Sequence, residues 1–271
     1  MRFAICNEIF KGWELRRMCE FVREAGYDAL EVAPFVISPL VTDISTAQRR
    51  ELRETAIEAG LSISAIHWVL AYTEGMHVNH PDPEWRRRAS DSLVQAIEFC
   101  AEIGGTHMIF GSPKRRDVLP GVSLEQASEW ALDTFRPSIT AAEKLGVTIC
   151  MEPLGMTETN FLQTAAETVA FVERADSPAF QIMLDVKAMC SESTPIPEII
   201  KASARHTSYF HANDRNLKGP GFGDTDYTPI AAALKKSGYS GYVSVEVFNF
   251  DDGAEVIAMR SRAYLKQIFG E

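Results

Sequence analysis

Helix-period stretches that end in a glycine and pass directly into a short apolar run recur along this chain. Glu24-Ala25-Gly26-Tyr27 opens into ALEVA and Glu58-Ala59-Gly60-Leu61 into SISAI; the step returns at Gly105 into THMIF, at Gly146 into VTICM, and at Gly238 shortly before YVSVEVF. Glycine takes the left-handed conformation past a helix end without a Cβ penalty, so the chain turns at once into a strand. Helix starts are marked as well. Ser45-x-x-Gln48, Ser123-x-x-Gln126 and Thr164-x-x-Glu167 have capping-box form, while Asp82-Pro83 and Thr228-Pro229 place a cap residue before a proline at the first helical position.

This punctuation predicts eight strands, at 2–6, 28–33, 62–67, 106–110, 147–151, 180–185, 207–211 and 242–248, each followed by a helical segment. They read as near-continuous apolar runs, the mark of parallel strands covered on both faces. Eight such units in 271 residues predict an α/β fold, a single (β/α)8 TIM barrel with a parallel eight-stranded core, as one domain over 1–271. A doubly wound open sheet is the competitor, and it predicts a Gly-rich phosphate turn after the first strand; Asn7-Glu8-Ile9-Phe10 is not one. The longest interruptions, Val69 to Glu84, Gly111 to Val122 and Ala212 to Tyr227, all follow strands, on the face where barrel enzymes carry their chemistry.

Composition narrows the function classes. With 27 Lys plus Arg against 37 Asp plus Glu, a net charge of -10 and no basic stripe, the chain is not expected to bind nucleic acid. Its five cysteines fall at 6, 19, 100, 150 and 190 with no C-x-x-C pair, which fits reduced thiols in a cytoplasmic protein. No apolar run approaches the length of a membrane span, and Met1-Arg2-Phe3-Ala4-Ile5-Cys6 lacks signal-peptide features.

Candidate chemistry gathers where the last four strands end. The fifth meets Glu152, the sixth ends in Asp185, the seventh in His211, and the eighth reaches Glu246, at spacings of 33, 26 and 35 residues. A carboxylate closing an apolar run is rarely left buried and unpaired, because the isolated charge is too costly. One cation shared by three carboxylates and an imidazole satisfies all four; this hard, mostly oxygen donor set suits Mn²⁺ or Mg²⁺, with Co²⁺ and Zn²⁺ as alternatives. Separate salt bridges on an ordinary barrel rim are the competing explanation.

Glu152-Pro153-Leu154-Gly155 with Glu158, Leu184-Asp185-Val186, His211-Ala212-Asn213-Asp214 and Gly241-Tyr242-Val243-Ser244-Val245-Glu246 together resemble the xylose-isomerase-like TIM-barrel sugar isomerase/epimerase superfamily, nearest its D-tagatose 3-epimerase and D-psicose epimerase branch. The resemblance implies that Glu152, Asp185, His211 and Glu246 bind one divalent metal, usually Mn²⁺, and that Glu152 and Glu246 also form the acid/base pair. It further implies that Glu158 holds substrate hydroxyls, that Phe248 offers an apolar surface beside the sugar, and that the protein is a homodimer or homotetramer acting on a small sugar or keto-sugar. Two positions depart from the family: Ala188 stands for its histidine three residues past the metal aspartate, and Leu217 for its arginine six past the metal histidine. The lost sugar contact is then either absent or taken over by Lys187 or Arg215.

The chemistry expected is proton abstraction next to a carbonyl with a metal-stabilised enediolate, giving isomerisation or epimerisation. A metal-dependent lyase or dehydratase acting on a keto-sugar, keto-glycoside or cyclitol begins with the same step and is the alternative. An apurinic-site endonuclease shares the barrel but needs a histidine at Ala188. Among other residues, His67 closes the third strand and is a candidate for a substrate hydroxyl, with a structural role beside Trp68 as the rival; Glu31, inside the second strand, is left unassigned. Lys114-Arg115-Arg116 reads as a solvated basic run, and Gly219-Pro220-Gly221-Phe222-Gly223-Asp224 as a flexible rim loop.

Overall fold

Every one of the eight apolar runs forms a strand in the computed structural model, which describes residues 1–270. The strands are β1 (Arg2–Cys6), β2 (Ala29–Val32), β3 (Ser62–Ile66), β4 (His107–Phe110), β5 (Thr148–Met151), β6 (Phe180–Asp185), β7 (Thr207–Ala212) and β8 (Tyr242–Val245), and they close in sequence order into a parallel barrel. Around them run α1 (Leu15–Glu24), α2 (Thr46–Glu58), α3 (Pro83–Glu102), α4 (Leu124–Leu145), α5 (Ala165–Glu173), α6 (Val186–Met189), α7 (Ile196–Ser203), α8 (Tyr227–Lys236) and α9 (Ala254–Phe269). No helix among the described residues is long and apolar enough to cross a membrane.

The eighth strand is shorter than its apolar run. Pairing stops at Val245, and the amides of Phe248 and Asn249 turn instead to the carbonyl of Leu217 at 2.8 and 2.9 Å. Ladder geometry needs a neighbour in register, and the chain after β7 has already left the barrel there, so composition alone overextends the strand.

Two apolar layers result from the strand alternation. Outward residues join the helices in the main core, while Ala4, Ala29, Ala65, Ile109, Cys150, Met183, Tyr209 and Tyr242 fill the barrel interior. Three alanines on β1, β2 and β3 leave room for the rings of Tyr209 on β7 and Tyr242 on β8. Two register shifts interrupt the ladder, between Leu30 and Glu31 on β2 and between Ile182 and Met183 on β6. Such bulges re-aim side chains, and Glu31 points across the barrel to β7.

Helix starts follow the sequence signals with one exception. Ser45 with Gln48 and Thr164 with Glu167 form reciprocal capping boxes, Ser123 accepts from the Gln126 amide, and Asp82 caps α3. The start of α8 lies earlier than Thr228-Pro229 indicates: Asp226 is the cap, accepting from the Thr228 amide, and Pro229 sits in the first turn, where its missing N–H costs nothing. At the end of α3 the left-handed residue is Gly104, at φ +87°, not Gly105. Gly105 is needed for space, since a Cβ there would stand 2.7 Å from Cys100 Sγ and 3.1 Å from the Cys100 carbonyl. Gly105→Ala is therefore expected to cost about 1–3 kcal/mol by overpacking, measured by urea unfolding. Adding Cys100→Ala should recover part of that loss; equal losses in both backgrounds would show that the sulfur contact is not the cause.

Candidate metal centre

Four side chains converge at the C-terminal mouth of the barrel. Glu152 follows β5, Asp185 closes β6, His211 lies in β7 opposite Asp185 in the ladder, and Glu246 follows β8. Each is buried and offers one ligand atom, all within 4.8 Å of one another. Nδ1 of His211 and Oε2 of Glu246 lie 3.0 Å apart, yet neither has a hydrogen-bond partner. Buried polar atoms are seldom left unsatisfied. Two facing atoms of this kind, beside two more carboxylates, fit a divalent cation, and three oxygens with one nitrogen are a hard donor set.

A second layer of side chains fixes the first. Glu31 Oε1 accepts from His211 Nε2 at 2.9 Å, leaving Nδ1 as the ligand atom, and Glu31 Oε2 accepts from the Tyr209 hydroxyl at 3.0 Å. A carboxylate behind a ligating imidazole sets its tautomer and orientation. Asp185 accepts from the Ala188 amide at 2.7 Å and from the Asn213 side chain, whose carbonyl in turn accepts from the Lys187 amide at 2.8 Å. His67 Nε2 meets Glu8 Oε2 at 3.1 Å, while its Nδ1 lies 3.4 Å from Glu246 Oε1 and 3.5 Å from Glu31 Oε1. Gly111, just past β4, is forced by the centre itself, because a Cβ there would collide with Glu152 Oε2.

Electrostatics separate the two glutamates. Burial, then the charges of Glu246 and Asp185, push the Glu152 carboxyl up to about 8. Burial acts the same way on Glu246, but the imidazoles of His211 and His67 outweigh it and hold that carboxyl below its ordinary range. Glu31 is held at about 2, burial again being overcome by His211 and His67. Burial disfavours a charged His67, yet Glu8 and Glu31 raise it to about 10.

Beside Glu152, His211 and Glu246 opens a cavity of about 140 Å³ whose lining also includes His67, Trp68, Glu158, Lys187 and Phe248. Lys187 Nζ pairs with Glu158 Oε1 at 2.7 Å and sits 4.0 Å over the Phe248 ring. The structure does not bring Arg215 here. Residues 214–218 form a tight turn, with the Asp214 amide bonded to the Lys218 carbonyl at 2.9 Å, and Arg215 is exposed along a separate groove with Asp214, Asn216 and Asp224. The basic run also divides: Lys114 is exposed, Arg115 half-buried, and Arg116 fully buried, donating to the Glu152 carbonyl at 2.6 Å and the Leu162 carbonyl at 3.4 Å. The glycine-rich rim segment packs tightly, since a Cβ at Gly221 would meet the Tyr264 ring at 2.6 Å.

Residues 19–268 match the model of the family described as Xylose isomerase-like TIM barrel. The chain belongs to this family. Within reach of sequence comparison it is similar to D-psicose 3-epimerase of Ruminiclostridium cellulolyticum, 28% identical over 232 residues that cover 84% of this chain and 76% of that protein. It is also similar to ketose 3-epimerase of Arthrobacter globiformis, 26% identical over 242 residues covering 87% and 78%. A crystal structure of a D-psicose 3-epimerase obtained in the presence of D-fructose covers 100% of both chains at a TM-score of 0.87 and 19% identity, which is a likeness of fold.

Reasoning from the sequence missed Glu8, Glu31, Asn213 and Arg116 as parts of this centre. Glu31 carried a signal, a charge inside the apolar run ALEV; its partner is an imidazole two-thirds of the chain away. Glu31→Gln is expected to weaken divalent-cation binding about 10- to 100-fold, read by competition against a chromogenic chelator. Unchanged affinity in a folded variant would remove Glu31 from the centre.

Proposed function

We propose that this chain is a divalent-metal-dependent sugar isomerase or epimerase of the ketose 3-epimerase type. What carries the reading is the meeting of Glu152, Asp185, His211 and Glu246, with the unpartnered His211 Nδ1 and Glu246 Oε2 facing each other across 3.0 Å. Family membership and the similarity to D-psicose and ketose 3-epimerases support the substrate class. Mn²⁺ is the cation we assign, with Mg²⁺, Co²⁺ and Zn²⁺ as alternatives on the same donor set.

Held by Glu152, Asp185, His211 and Glu246, a divalent cation would supply positive charge to a carbonyl oxygen that gains negative charge as the neighbouring carbon loses its proton. The protein does the rest. One of Glu152 and Glu246 takes the proton and the other returns it; in an epimerase they act on opposite faces of the same carbon. Glu31 and His67 keep His211 and Glu246 oriented during the transfer. Glu158 and Lys187 grip substrate hydroxyls, Phe248 covers an apolar edge, and the walls exclude water, which strengthens each electrostatic contact.

Protein purified with Mn²⁺ is expected to hold about one divalent ion per chain and to lose turnover on chelation. Glu152→Gln and Glu246→Gln should each lower kcat by about 10²–10⁴-fold with the fold intact by circular dichroism. Asp185→Ala combined with His211→Ala should abolish metal uptake; retained stoichiometric metal refutes the site. In D₂O, a keto-sugar panel followed by NMR should show deuterium entering one carbon without loss of water. Loss of water would instead identify a lyase.

A further inference from the structure

Beyond the cavity the rim turns aromatic. The Trp68 ring, which lines the cavity, lies 6.1 Å from Phe35, 6.2 Å from Tyr72 and 6.3 Å from Phe248 between centroids, and Phe35 and Tyr72 pack at 4.6 Å. Phe35 comes from the segment after β2, and Trp68 and Tyr72 from the long segment after β3. Tyr72 is 56% exposed. Among the described residues, Ile37, Tyr72, Met156, Leu217 and Phe250 account for half of the ten exposed large apolar side chains, and all five lie on segments that follow strands. Half of the outward apolar side chains thus lie on segments that follow strands, and Tyr72 adjoins the cavity through Trp68, where a ligand would cover it.

The aromatic shelf is held in place before any ligand arrives. Trp68 and Leu70 adopt left-handed backbone conformations, at φ +56° and +65°, which non-glycine residues hold only when their surroundings enforce it. Ser112 Oγ donates to the Val69 carbonyl, and Arg115 donates from Nε to the Leu70 carbonyl at 3.0 Å and from its terminal nitrogen to the Ala71 carbonyl at 3.4 Å.

The polar inventory points the same way. Apart from Glu152, His211 and Glu246, the polar side chains lining the cavity are His67, Ser112, Glu158 and Lys187. His67 is engaged with Glu8, Ser112 with the Val69 carbonyl, and Glu158 and Lys187 with each other. A free ketose carries a hydroxyl on nearly every carbon, and each one buried needs a partner. Beyond the four-residue cluster this mouth offers one polar pair for hydroxyls, Glu158 with Lys187, and beside it an aromatic shelf of mutually inclined rings.

We propose that the substrate is a keto-sugar bearing a planar, apolar substituent, as in an aryl glycoside, with the sugar in the cavity and the aryl ring against Phe35, Trp68 and Tyr72. This rests on the reading of the four-ligand centre as a sugar site. Offset and edge-on ring contacts give such a substituent about a 2- to 10-fold advantage in affinity.

Two measurements on the Mn²⁺-loaded protein test it. The first compares methyl and 4-nitrophenyl 3-keto-glucosides by deuterium exchange in D₂O; the aryl compound should show a KM lower by up to about tenfold, and the aryl-to-methyl ratio should fall towards one in Tyr72→Ala. The second titrates methyl and 4-nitrophenyl glucosides, which have no ketone, against tryptophan fluorescence; only the aryl compound should quench at low concentration, and Tyr72→Ala should weaken that quenching. Equal behaviour of the two glycosides, or a preference untouched by Tyr72→Ala, overturns the proposal. A concentration-dependent dimer lost in Tyr72→Ala, with no aryl preference, assigns the rim to a second copy and also overturns it. Absence of deuterium exchange with these glucosides and with the free keto-sugar panel, aryl-selective quenching being intact, sinks the catalytic reading and leaves the shelf standing.

Discussion

Negative charge buried at one end of a barrel is the constraint from which the rest of this structure follows. Glu8, Glu31, Glu152, Asp185 and Glu246 all come to the mouth with little or no exposure. Each buried carboxylate without a cation would cost several kcal/mol. His67 answers Glu8, Glu31 and Glu246, and His211 answers Glu31. What is left over is an arc of oxygens from Glu152, Asp185 and Glu246 with one nitrogen of His211, and a divalent ion is the compact way to balance it. The ligand set is thus part of a larger charge balance that extends two strands to either side.

Rigid parts hold that balance. The bulge at Leu30/Glu31 turns the carboxylate inward, the Asp185–His211 register sets two ligands side by side, and Asn213 ties Asp185 to the Lys187 amide. Gly111 clears a path for Glu152, and the buried Arg116 guanidinium fastens the Glu152 carbonyl to the segment after β4. Burial presses the Arg116 pKa down to about 10, still a charged side chain at neutral pH. It acts as a fixed positive post beneath a site rich in carboxylates. Preorganisation of this kind lets a cation be gripped without rebuilding the mouth.

The two departures from the family pattern take on a physical meaning in the fold. Ala188 is buried and serves Asp185 through its backbone amide, so that position supports the ligand without offering a side chain to a sugar. Leu217 is 44% exposed at a left-handed turn, φ +69°, and adds apolar surface to the rim. Neither Ala188 nor Leu217 offers a polar side chain to the mouth, while Lys187 is paired with Glu158 over Phe248.

Strand number, closure and the meeting of Glu152, Asp185, His211 and Glu246 were legible in the sequence because each is written locally: apolar runs between glycines make strands, and a carboxylate or imidazole ending such a run goes to the barrel mouth. The limit of β8, the cap of α8 and the role of Gly105 were not, since they depend on a neighbour's register, on Asp226, and on the Cys100 sulfur. Glu31, Glu8 and Arg116 looked unassigned, incidental or solvated, and Arg215 looked near, because partners distant in sequence meet only once the barrel closes. Local chemistry fixed which groups point to the mouth. Closure alone decided which of them touch, for a pairing between β2 and β7 has no periodicity or spacing to announce it.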